Sequence, residues 1–149
     1  MRRLPAGLIL PLLLGACFQD STPQHSDFLP FDYQVSFPEV RGCRPVPDHG
    51  LTYERMLANP VAAVPYTAGN YPLPTGSVVV AEQHLEASCR SLNGFYLMAK
   101  ENPGYDQAGA DWRWQRLDLY QRVLEDGRLQ ACSSCHARPP CNDYLCSPP

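Results

Sequence analysis

The chain has no apolar run long enough to cross a bilayer. Its longest, Leu4 to Leu14, falls well short of the roughly 20 residues a membrane-spanning helix needs. It also has no basic cluster: 12 basic residues stand against 15 acidic, for a formal charge of −3. A mildly acidic chain without a Lys/Arg stripe argues against nucleic acid as a partner. No internal repeat is present, which excludes solenoid and propeller architectures. Its 149 residues allow one domain around one modest core. Prolines are plentiful, 16 in all, and predict long ordered loops rather than a helical bundle.

The short apolar run has a different use. Met1-Arg2-Arg3 followed by Leu4–Leu14 has the basic head and apolar middle of a secretory leader. Leu14-Gly15-Ala16-Cys17 then resembles a bacterial lipobox, in which the cysteine is lipidated and becomes the new N-terminus. The reading is a leader over 1–16, a lipid anchor on Cys17 and residence on the periplasmic side of a bacterial envelope. Phe18 follows the cysteine rather than an aspartate, so retention at the inner membrane is not indicated and the outer membrane is expected. Several acyl chains would hold such an anchor stably, since each buried CH₂ contributes about 0.8 kcal/mol.

Seven cysteines support that compartment. With Cys17 assigned to lipid, Cys132-Ser133-Ser134-Cys135-His136 is the C-x-x-C-H signature of covalent haem attachment. The spacing has a physical basis. Residues three and four apart share one face of a helix, so both thiols can reach the two haem vinyl groups while the His136 imidazole lies under the iron. A second acceptor would orient the other ring nitrogen. There is no second C-x-x-C-H, so one haem is expected. A four-cysteine zinc site on Cys132, Cys135, Cys141 and Cys146 is the rival reading. Otherwise Cys43, Cys89, Cys141 and Cys146 form two disulfides, as is usual in an oxidising compartment. Three pairings are open. A Cys141–Cys146 bridge would fix the chain just after the motif, and Cys43–Cys89 would then tie an N-terminal arm to the rest.

Along the chain, residues 17–47 hold five prolines after Cys17 with little periodicity and read as a tether merging into an irregular arm. The domain proper is placed at 48–149. A short helix is predicted over Asp48 to Ala58, with Asp48 as N-cap and Leu51, Met56 and Leu57 as apolar contacts. Ser77–Glu82 and Phe95–Ala99 read as strands from their β-branched and apolar content, with a turn at Ser91-Leu92-Asn93-Gly94. Trp112–Leu117 alternates aromatic or apolar with polar residues, as a half-buried strand does. The fold class is therefore α+β: a mainly antiparallel sheet with a few short helices and the haem motif on a C-terminal helix. Strand alternation puts Val79, Ala81 and Gln83 on one face and Val78, Val80 and Glu82 on the other.

Several segments, in one order, resemble the cytochrome P-460 family, which includes the cytochromes c′-β. They are Pro74-Thr75-Gly76-Ser77-Val78-Val79-Val80-Ala81-Glu82, then Leu97-Met98-Ala99-Lys100, Gly104-Tyr105-Asp106 and Asp111-Trp112, then Cys132 to Ala137 and Asn142-Asp143-Tyr144. The resemblance implies an antiparallel β domain, often a homodimer, with His136 as proximal ligand to the iron. Some members oxidise hydroxylamine with a lysine cross-linked to the porphyrin. That position is Ala81 here, and Lys100 belongs to a later segment, so the resemblance points to the gas-binding side of the family. The expected ligand is a small diatomic such as nitric oxide at a five-coordinate iron, in an apolar distal pocket around Ala81. The alternatives are an oxidoreductase acting on hydroxylamine or a related compound, and a six-coordinate electron carrier using Met98 or His84, with a redox partner the sequence does not name. Met56 and Met98 otherwise read as core, His25 and His49 as surface, and Glu82 as a solvated or structural carboxylate. Arg113 is a candidate for meeting a haem propionate.

Overall fold

The computed structural model describes residues 23–50 and 52–146. The leader expected over residues 1–16, Cys17 with its expected lipid, and Leu51 lie outside the described residues. Six strands form one antiparallel meander: β1 Glu39–Val46, β2 Thr52–Ala58, β3 Val78–His84, β4 Leu92–Lys100, β5 Trp112–Asp118 and β6 Val123–Gly127, neighbours in that order. Three short helices accompany them: α1 Tyr33–Ser36, α2 Pro60–Thr67 and α3 Gln130–His136. The chain is therefore α+β and mainly antiparallel β, as its patterning predicts.

β3 organises the sheet. Its valines suit a pleated, crowded surface, and all seven of its residues are buried, because both faces are covered. Cross-strand register extends its alternation across the sheet. Met56, Ala81, Tyr96, Arg116 and Glu125 form one row, and Ala58, Val79, Met98 and Trp114 form the next. That face packs on α2 through Ala62, Ala63 and Tyr66, and on Leu145 near the C-terminus. The opposite face carries Leu57, Val78, Val80, Phe95, Leu97, Ala99 and Leu117, covered by Leu29, Tyr33 and Phe37 from the N-terminal segment.

Three local expectations are corrected. Asp48–Ala58 is not a helix: Pro47–His49 is a single 3-10 turn, and Thr52–Ala58 is β2, paired on both sides. Met56 and Leu57 favour a helix when alone, but here they supply one residue to each buried face. The helix instead starts at Asn59-Pro60, where the Asn59 side chain accepts from the Ala62 N–H at 3.0 Å and Pro60 takes the first turn. Residues 91–94 are no turn, since Leu92, Asn93 and Gly94 already belong to β4. The region expected as an irregular arm contains α1 and the edge strand β1. Further upstream, the Gln24 carbonyl accepts the Val123 N–H at 2.8 Å and His25 bridges to Arg122, so residues 24 and 25 lie against the start of β6.

Both disulfides form, as Cys43–Cys89 and Cys141–Cys146. The first ties β1 to the β3–β4 connection, and the second closes the loop after α3.

Candidate haem-binding site

The C-x-x-C-H segment lies on α3, which places Cys132, Cys135 and His136 on one face by the spacing of a single turn. Leu129 and Cys132 pack against the core of the Ala81 face and anchor the helix there. Cys132 and Cys135 are both free thiols, whereas the other four cysteines of the described residues are bridged. Burial pushes the Cys132 thiol above its usual range. The rival zinc set loses two of its four ligands to the Cys141–Cys146 bridge. Among the described residues, no group of three or more His, Cys, Asp or Glu side chains is arranged to hold a metal ion.

His136 is held in one orientation. Its Nδ1 lies 2.7 Å from the Tyr144 carbonyl oxygen, so the proton sits on Nδ1 and Nε2 keeps its lone pair. Burial lowers the His136 pKa below the ordinary histidine range, which also favours the neutral ring. This is the state in which an imidazole binds a metal, with a backbone carbonyl as the orienting acceptor. The Trp114 ring stands edge-on to His136 at 4.9 Å between centroids.

The carbonyl that orients His136 is itself pinned. Asp143 and Tyr144 have φ values of 49° and 65°, a left-handed stretch that disfavours side chains at roughly 1–3 kcal/mol per residue. Buried contacts around Asp143 hold it in place. Its carboxylate takes the Lys100 ammonium at 2.6 Å and the Leu73 N–H at 2.8 Å, and its carbonyl accepts the Trp112 indole N–H at 2.9 Å. Lys100 also lies over the Trp112 ring at 4.6 Å. Lys100 is thus committed to the loop that positions His136.

Between α3 and the sheet lies a cavity of about 560 Å³, within the range of cofactor sites. Its sheet-side wall includes Met56, Val79, Ala81, Met98 and Trp114, and Cys132, Cys135 and His136 line it from α3. Ala81 therefore faces the cavity, together with its same-face neighbour Val79. Trp114 Nε1 is buried with no hydrogen-bond partner, a donor on a cavity-lining residue left for something not made of protein. Two free thiols, an oriented imidazole, an apolar wall and an unspent donor fit a covalently attached haem.

The wall is less uniformly apolar than the sequence predicts. His49, read there as a surface residue, lines the cavity from the turn between β1 and β2. Its Nδ1 lies 2.6 Å from Glu54 Oε1, and that hydrogen bond raises its pKa above the ordinary histidine range against the opposing effect of burial. Its ring meets Tyr96 at 4.8 Å. Glu54 is buried, with the Arg41 guanidinium 3.8 Å away. On another side Arg116 pairs with Glu125 at 3.2 Å, and both line the cavity. Arg113, the residue expected near a propionate, lies on the other face and is paired with Asp126 and Glu101. Arg116, three residues on and so on the opposite face, is the arginine at the cavity. His84 is excluded as a ligand here, because it is buried on the arm face, where its Nε2 lies 3.3 Å from Glu82. Met56 and Met98 are core residues that also line the cavity. Nothing in the local sequence marked His49; only the fold brings it to the site. Neither a scan against protein-family models nor a search of curated proteins finds a match to this chain.

Proposed function

We propose that this chain is a c-type haem protein of the bacterial envelope, of the cytochrome P-460 type, that takes a small diatomic ligand such as nitric oxide on its iron. Cys132 and Cys135 would carry the thioether links, and His136 Nε2 would bind the iron. The observation that carries this reading is the fixed Nδ1 contact from His136 to the Tyr144 carbonyl, beside two unpaired thiols at attachment spacing. When bound, the haem supplies an iron that accepts a neutral gas. The chain's own residues then do the rest: Tyr144 sets the ring, Val79, Ala81 and Met98 exclude water, and the Trp114 N–H can donate into the cavity.

Sustained hydroxylamine oxidation is not part of the proposal. The methyl group of Ala81 has neither the length nor the nucleophilic nitrogen to bond a porphyrin edge, and Lys100 is occupied by Asp143. The leader and Cys17 support export and lipid attachment, and a homodimer is consistent with the family resemblance.

The test is made on the purified, matured protein. Haem should survive acid-acetone extraction, stain in a denaturing gel, and add the mass of one haem with no further bond to the polypeptide. Ferrous protein should bind nitric oxide or carbon monoxide, and hydroxylamine turnover should be slow or absent. A colourless zinc-containing protein, or robust hydroxylamine turnover, overturns the reading.

A further inference from the structure

We infer that Phe31, Leu119 and Tyr120 form a rim that touches the bilayer and seats the domain on the membrane holding the lipid of Cys17. The inference rests on the anchor proposed above and is independent of the haem.

One corner of the molecule carries it. Among the described residues, the exposed phenylalanine and tyrosine rings are Phe31, at 74 % exposure, and Tyr120, at 63 %. A chain of contacts joins them. Phe31 meets the His25 ring at 5.1 Å between centroids, His25 bridges to Arg122, and Arg122 lies over the Tyr120 ring at 5.1 Å. Leu119, also exposed, shares the β5–β6 turn with Tyr120. Phe31 points away from the protein, because its neighbours Leu29 and Tyr33 are the residues of the arm that pack on the sheet. The turn is fixed as well: the Asp118 carboxylate accepts the Tyr120 N–H at 2.9 Å and the Arg122 N–H at 3.0 Å. A rim already held in place loses little freedom when it makes contact.

Where the chain leaves this corner decides what covers it. Pro23 is the first described residue, and residues 24 and 25 already lie against Val123 and Arg122. Five residues, 18 to 22, separate Pro23 from Cys17, and a link of that length reaches at most about 20 Å. A domain of this size is about 35 Å across. The anchor therefore cannot reach round the domain, and the corner that receives it is the one held at the bilayer. The side chains suit that place. Tyrosine is favoured at headgroup depth, and phenylalanine and leucine bury apolar area just below it. Charge at the corner is balanced rather than basic, since Arg122 Nε pairs with Asp118 at 2.6 Å and Asp32 follows Phe31. Contact is thus made by the rings and is insensitive to salt, unlike that of a polybasic surface. Seated this way, the arm faces the lipid, and the cavity on the opposite face of the sheet is turned away from it.

The experiment places the matured, lipidated protein in phosphatidylcholine vesicles, with and without bromine on the acyl chains near the headgroup. Phe31→Trp and Tyr120→Trp are the reporters. Val64→Trp, at an exposed position of α2 on the other face, is the control. Taking the ratio of emission in the two lipids cancels any quenching by a haem. Bromine should remove about half of the added emission from both reporters, as for a ring seated about 5–10 Å into the boundary of headgroup and acyl chain. Val64→Trp should lose little, and high salt should leave all three ratios unchanged. Protein that floats with the vesicles but shows no bromine quenching at either reporter overturns the rim and leaves the anchor intact. Equal quenching at all three positions, or quenching lost in high salt, does the same. So does reporter emission that follows protein density and not bromine, because a second copy then covers the corner. Protein that does not float with the vesicles overturns the anchor and the rim together.

Discussion

The two faces of the sheet are made by the same strands and finished in opposite ways. Val78, Val80 and Glu82 of β3 meet the arm, where Leu29, Tyr33 and Phe37 close a packed layer. Val79 and Ala81 meet a cavity. Both faces bury charge. On the arm face Glu82 accepts the Tyr33 hydroxyl at 2.6 Å and pairs with Arg55 at 2.6 Å, with His84 alongside. These contacts stay within the protein and tie the arm to the central strand. On the cavity face His49 and His136 each spend one nitrogen on the protein and keep the other, and Trp114 keeps its N–H. A buried carboxylate is thus not a sign of function by itself. His84 Nδ1 on the arm face is also left without a partner, so what separates the two faces is that the spare capacity of His49, His136 and Trp114 borders an unfilled space.

The largest test of that contrast removes the attachment. Replacing Cys132 and Cys135 together by Ala should abolish covalent haem, read as loss of in-gel staining. His136→Ala should largely prevent maturation. Neither change touches the arm-face contacts, so both disulfides should form as in wild type. If staining persists in the double cysteine variant, the cavity face does not hold haem through α3.

The alternation of β3 was legible because valine content and period agree. Trp112–Leu117 was legible for the same reason, and the motif on α3 because its spacing is a helical turn. β2 was not. Thr52 to Ala58 is rich in helix formers, and only pairing with β1 on one side and β3 on the other makes it a strand. His49 was illegible for a related reason. It sits on a turn with no motif around it, and it gains a partner only when β2 brings Glu54 beside it and α3 brings His136 across the cavity. Arg113 and Arg116 show how narrow the margin is: alternation alone decides that Arg116 meets the cavity and Arg113 does not, once the face of Trp114 is known.

The disulfides divide between the regions and should have unequal effects. Cys43–Cys89 spans 46 residues, and its removal as a Cys43→Ser, Cys89→Ser pair should lower stability by about 4 kcal/mol from loop entropy. Cys141–Cys146 spans five residues, and its removal should cost about 2 kcal/mol by the same reasoning. Yet the shorter bridge flanks Asp143 and Tyr144, so its loss should disturb the proximal ligand field more than the longer one does. Denaturant midpoints and the Soret band, measured on both pairs, should rank in opposite orders. The same ranking in both measurements would mean the loop does not position His136.

Next in size is the arm clasp. Glu82→Gln removes the charge that Arg55 and Tyr33 share. Breaking a buried pair typically costs 3–5 kcal/mol, and Arg55 reaches solvent, so about 2–3 kcal/mol is expected here. The haem spectrum should not change, because Glu82 points away from the cavity. A shifted spectrum with little loss of stability would mean that the two faces are coupled through β3 rather than independent.

The smallest effect appears only in alkali and compares one tyrosine from each face. Burial pushes the Tyr66 hydroxyl up to about 12. Tyr33 is raised further, by burial first and then by its hydrogen bond to the Glu82 carboxylate. In the unfolded chain both should ionise near the ordinary tyrosine value of about 10. Below that value both states hold the proton and neither residue gives a pH dependence. Above it the unfolded chain releases protons that the folded chain keeps, so stability falls as pH rises, through about 12 for Tyr66. Denaturant midpoints should therefore drop between about pH 9 and about pH 11, by up to about 1.4 kcal/mol per pH unit for each tyrosine. Tyr33→Phe should remove part of that slope. It should also lower stability at neutral pH by about 1.5–3 kcal/mol, the contribution of a hydrogen bond to a charged group. A slope unchanged by Tyr33→Phe would show that its hydroxyl is not held protonated against Glu82, and the arm face would then lose the contact that distinguishes it from the cavity face.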